Sequence, residues 1–166
     1  PWARFPEVKR PEDWPIKISP TQLFWPINRH DNRKFERCIE LVALSKAITP
    51  LQLHRHSFTH LFLDDIVSAS RKEQIANRIV HRLTLHAQAA AQDSQLQDEE
   101  LPGGERRFRV TPRPSSLRIH YKFHNSAIVF LRFYDEGHHD DGLWPIFLTY
   151  ATQIWGHTHY VSPQSY

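Results

Sequence analysis

Methionine is absent, cysteine occurs once and glycine five times in 166 residues. A lone cysteine, Cys38, cannot build an intrachain disulfide framework, so nothing points to an oxidising compartment. Few glycines leave few places where a backbone could cradle phosphate. Neither a Walker-type glycine loop nor a G-x-G-x-x-G or G-x-S-x-G run is present, which argues against a nucleotide cofactor and against a nucleophile-elbow hydrolase. The longest apolar run, Ala127–Leu131, is strand-sized, far below the roughly 18–20 residues that span a bilayer. No secretory signal is visible, because the first residues are proline-rich and lack an apolar run. In a chain without methionine, Pro1 reads as an end made by processing or trimming. The expectation is a soluble intracellular protein, with the mitochondrial matrix as a compatible compartment.

What is present suits one domain with an arm. Hydrophobic residues make up 40% and charged residues 23%, enough apolar material for a single core. The net charge of +3 and pI of about 9.2 permit a polyanionic partner without requiring one. Twelve histidines are many for this length.

Residues 1–30 read as an extended arm. Pro1, Pro6, Pro11, Pro15, Pro20 and Pro26 recur along it, each removing a backbone donor and disfavouring helix before it. Trp2, Phe5, Trp14, Phe24 and Trp25 lie between them. Such aromatics must cover the chain's own core or dock on other protein subunits.

Residues 31–166 read as one α+β domain: two main helices packed on an antiparallel β-meander. Asp31 can cap a helix over 32–47, with Phe35, Cys38, Ile39 and Val42 on its buried face. Cys38 on that stripe is a core residue rather than a nucleophile. Thr49-Pro50 reads as a break or as a cap followed by proline. Residues 51–63 partly alternate and read as a strand, or as a short helix followed by one. Ser70 and Glu73 form a capping-box pattern opening a helix over 71–91. Residues 92–105 read as a flexible acidic loop with Asp98, Glu99 and Glu100 solvated.

The meander follows. Phe108 and Val110 alternate with Arg107 and Arg109; Ile119, Tyr121 and Phe123 alternate with Arg118, His120 and Lys122. Side chains on a strand point to opposite faces with a period of two, so one face is apolar and the other basic. His124-Asn125-Ser126 reads as a hairpin turn. Residues 127–134, apolar except for Arg132, read as an inner strand, and 146–152 as a final one.

Three constellations bear on function. Arg107, Arg109, Arg118, His120, Lys122 and Arg132 would form a basic sheet face able to follow RNA phosphate without reading bases, because Tyr121 and Phe123 fall on the other side. The alternatives are an ordinary solvated face and contact with an acidic protein partner. His54, His56 and His60 have a spacing that can hold zinc or iron on a strand, as could His138 and His139 with His157 and His159. Against both stands the chance clustering of histidine in a histidine-rich chain. Ser57 beside His56 and His60 is close in sequence only, and a triad is defined by geometry.

The reading is a non-catalytic subunit of a large assembly, such as an organellar, ribosome-like ribonucleoprotein, docking by its aromatic arm and touching RNA through the basic face. The alternatives are a metal-dependent, hydrolase-like enzyme using the histidines and a small stand-alone protein-binding module.

Overall fold

A computed structural model of the chain describes residues 18–111 and 117–134, and the backbone of 160–161. The expected α+β class holds. A six-stranded sheet has the order β2-β3-β4-β5-β1-β6. Its strands are β1 His56–Thr59, β2 Glu99–Glu100, β3 Arg106–Arg109, β4 Arg118–His124, β5 Ala127–Tyr134 and β6 Tyr160–Val161. All neighbours are antiparallel except β1 and β5, which run parallel. β5 lies between β4 and β1, and Ala127 through Leu131 are buried along it, as expected of a strand apolar on both faces.

Among the described residues, five α-helices accompany the sheet: α1 Pro20–Phe24, α2 Asn32–Ser45, α3 His60–Val67, α4 Lys72–Leu83 and α5 Ala87–Gln92. Phe35, Cys38 and Ile39 of α2, Phe62 and Ile66 of α3, and Ile75, Ile79 and Leu83 of α4 join Phe58, Phe108, Ile119, Tyr121 and Phe130 of the sheet in one core. Phe58 stacks on Phe62 and on Phe130, each at 5.4 Å between ring centres. Offset ring pairs of this kind add to the burial of their area.

The arm is not extended throughout. Ser19 and Gln22 make a reciprocal capping box that starts α1 with Pro20 in its first turn. Trp25 is 4% exposed, donates its indole N–H to the Ile66 carbonyl at 2.9 Å and meets Phe35 edge-on at 5.2 Å. Trp25 is therefore core, and Phe24 packs against that core half-buried. Neither is an open docking anchor. Trp2, Phe5 and Trp14 lie outside the described residues, as do the final strand expected at 146–152 and the histidines at 138, 139, 157 and 159.

Three other expectations are corrected. Asp31 occupies the cap position of α2, but its carboxylate turns back to accept from the backbone N–H groups of Ile27 and Asn28. The Ser70–Glu73 box does not form; Arg71 is the cap residue and makes no side-chain cap bond. The helix expected over 71–91 stops at Leu83. There the Thr84 hydroxyl takes the His81 carbonyl, Arg82 Nη1 donates to the Leu85 carbonyl and His54 N–H takes the Leu83 carbonyl. These bonds consume acceptors a continuing helix needs, and His86 caps α5 afresh. Of the two readings of residues 51–63, the short helix followed by a strand holds: a 3-10 turn at Pro50–Gln52, capped by Thr49, precedes β1, after which α3 begins.

The hairpin turn forms as expected. Asn125 and Ser126 both have positive φ, 49° and 64°, between the paired residues His124 and Ala127. That is a two-residue turn of the primed type, whose twist suits flanking strands.

Candidate nucleic-acid interface

The sheet brings its cations together on one face. Arg107, His120 and Arg132 are direct cross-strand neighbours, and so are Arg109 and Arg118. Directly opposed residues share a face. This face is not solvated, however: Arg109, Arg118 and His120 are 8%, 5% and 4% exposed. Charge is neutralised locally as well. Arg107 pairs with Glu99 at 2.5 Å, Lys122 with Glu105 at 3.4 Å, and Arg132 makes two bonds to Asp65. Arg109 donates to Gln97. Burial raises the Asp65 carboxyl above its ordinary range even though Arg132 opposes that shift. On the sheet face expected to follow phosphate, three cations are thus buried and the other three, half-buried, each meet a carboxylate.

Asp98 corrects the reading of the acidic segment as solvated. Its side chain is fully buried and accepts from Arg82 Nε at 2.9 Å, from Arg106 Nε at 2.8 Å and from the Tyr121 hydroxyl at 2.5 Å. Arg82, itself 0% exposed, also lies over the Tyr121 ring at 5.0 Å. Burial and the neighbouring Asp98 push the Tyr121 phenol well above its ordinary value. Glu99–Glu100 forms the edge strand beside β3.

The histidine cluster does not assemble. His56 is buried, with Nδ1 on the His54 carbonyl and Nε2 on Glu36 Oε2, each at 2.9 Å. Both ring nitrogens are engaged, His60 is exposed at the start of α3, and alternation along β1 puts Ser57 on the face opposite His56. Among the described residues no three His, Cys, Asp or Glu side chains converge as a metal site. Cys38 is buried and its thiol is pushed up to about 12, which keeps it protonated and inert.

Among the described residues, five cations without a carboxylate partner line the seam between α2 and α4; Arg33 and Arg55 are likewise unmatched and line neither of its hollows. The N-terminal ends of these helices share an open cleft of about 770 Å³ whose lining includes Lys34, Arg71, Lys72 and Glu73. Their C-terminal ends share a second concavity of about 360 Å³ with Lys46, Arg78 and His81. The helices therefore run the same way, and Gln74 lines both hollows. Among the described residues, no carboxylate lies within ion-pair distance of Lys34, Lys46, Arg71, Lys72 or Arg78. Burial pushes the Lys46 ammonium down, and the Arg78 charge beside it pushes the same way. Lys46 and Arg78 are thus like charges brought together with, among the described residues, no carboxylate in ion-pair contact with either.

Sequence reasoning did not anticipate this seam. The seam arises from the packing of two helices separated by β1 and α3. The available signal was the run of unpaired cations on the polar stripes of both.

The chain matches no known protein family, no curated protein and no solved structure.

Proposed function

We propose that this chain is a non-catalytic subunit of a ribonucleoprotein, holding RNA phosphate on the α2–α4 seam rather than on the sheet. The observation that carries the reading is the sorting of cations by compensation. Sheet cations are buried or matched by acids, whereas Lys34, Lys46, Arg71, Lys72 and Arg78 are not matched. An uncompensated cation still gains by meeting phosphate; a paired one must first give up its partner.

The length of the seam favours a polyanion over a small ion. α2 has 14 residues, about 21 Å at 1.5 Å per residue. A chain with repeating phosphates reaches both hollows at once. Gln74, Asn77 and Gln95 in the second hollow add amide donors of the kind that bind phosphate oxygens and carry no sequence information. With Trp25 buried, the cleft lining has no open aromatic ring for base stacking, so contact is through the backbone of the nucleic acid.

Exposed apolar side chains are also available for docking to another protein subunit: Ile27, 73% exposed, lines the larger cleft, Leu23 is 40% exposed, and Leu51 is 97% exposed on the 3-10 turn.

The test is binding of single-stranded RNA measured by fluorescence anisotropy across a range of salt. Each phosphate neutralised contributes a slope of about −0.7 in log K against log salt. The full chain should show several such units, and Lys34→Ala with Arg71→Ala and Lys72→Ala should lower the slope. A flat response to salt, or one unchanged in that triple variant, rejects the reading.

A further inference from the structure

We infer that the hollow between the C-terminal ends of α2 and α4 is a built site for one phosphate group. The inference deepens the ribonucleoprotein reading and rests on it for the identity of the natural ligand. Its volume, about 360 Å³, falls at the small end of ligand pockets, roughly 300–1,000 Å³. That is room for a phosphate and the sugar attached to it. Three basic side chains face into it, Lys46, Arg78 and His81, and no Asp or Glu is in its lining.

The donors are held in place by bonds that leave other polar atoms available. Arg78 donates Nε to the Val110 carbonyl at 2.9 Å and Nη1 to Gln95 at 3.2 Å. Two of its nitrogens are thereby anchored, and the Nη2 donors remain for a ligand. Asp93 organises the rim from behind. One of its oxygens accepts from His81 Nε2 at 2.8 Å, the other from the backbone N–H groups of Gln95 and Leu96. Although burial opposes it, the Leu96 N–H and His81 keep the Asp93 carboxyl below its ordinary value. The carboxylate therefore stays charged and holds the His81 ring by Nε2. Lys46 stands at the C-terminal cap of α2. Bringing Lys46 and Arg78 together without an acid costs folding energy, and an anion between them reverses the sign of that term.

Phosphate chemistry could be presented by RNA or by free phosphate, and the two separate experimentally. The full chain is titrated with inorganic phosphate while the Arg78 Nε–H resonance is followed by NMR. Oligouridylate is then tested as a competitor. Saturable movement of that resonance is expected, weakened about tenfold by Lys46→Gln, the loss expected for one charge-assisted contact. Arg78→Gln is a second variant, read alongside its stability because Arg78 also ties down Val110. Competition by the oligonucleotide identifies RNA as the source. Phosphate binding without competition keeps the site but removes the RNA reading. An Arg78 signal unmoved by phosphate, with RNA affinity unchanged in Lys46→Gln, overturns the site and leaves the RNA reading intact. Failure to bind either probe overturns both.

Discussion

Arg82 and Asp98 meet where neither side chain reaches solvent: both are 0% exposed, with Nε and Oδ2 2.9 Å apart. The pair ties α4 to the segment before β3, and Tyr121 and Arg106 complete it. Each Asp98 oxygen is supplied with donors, so the desolvation cost of the ions is offset as long as every member stays.

Removing two members together should therefore cost clearly less than the two single losses added. Arg82→Met or Asp98→Leu should each cost about 3–5 kcal/mol, because a buried polar partner is left uncompensated. Arg82→Met combined with Asp98→Leu should cost clearly less than the sum. Urea denaturation of the two single variants and the double variant reads this as a coupling energy; simple additivity would contradict it.

The Glu36–His56 contact gives stability a pH dependence of known sign. Burial alone would lower the His56 imidazole, but the hydrogen bond to Glu36 and its charge outweigh burial and raise it above its ordinary value of 6.5. A raised folded value means the contribution is complete below 6.5 and is lost as pH climbs through the raised value. The urea midpoint should fall across that alkaline-side window. Glu36→Gln should lose stability at low pH and show a shallower fall. An identical pH profile in the variant would show that the pair does not set the slope.

Ser126 holds a left-handed backbone, φ 64°, in the β4–β5 turn. A side chain there costs roughly 1–2 kcal/mol relative to glycine. Ser126→Gly creates the Asn-Gly turn that hairpins of this type prefer. It should raise stability by about 1 kcal/mol, less whatever glycine adds to unfolded-chain entropy. A lower urea midpoint would mean that the Ser126 side chain makes a compensating contact.

Features with a local cause were legible before the fold was known. The Asn125-Ser126 turn, the period-two pattern of β4 and the doubly apolar β5 all follow from neighbouring residues. The start of α2 was visible too, though not the use to which Asp31 puts its carboxylate. What escaped depends on groups distant in sequence. The end of α4 is set by Arg82, Thr84 and His54 competing for its last carbonyls, and the pattern of apolar residues continues past it. Asp98 looked like one more acid in a polar run because the positions of Arg82 and Tyr121 cannot be read from its neighbours. Arg118 and Lys122 share a strand face as alternation requires, yet alternation says nothing about what covers that face. Lys46 and Arg78 are 32 positions apart by their numbering, and only helix packing makes them a pair.

The central claim, that RNA lies on the helices and not on the sheet, is tested most directly by ultraviolet cross-linking of the bound complex followed by peptide mass spectrometry. Cross-links are expected on peptides spanning 32–46 and 71–81, with the β3–β5 peptides unmarked. Cross-links concentrated on Arg107, Arg118 or Lys122, with both helices clean, would contradict the account.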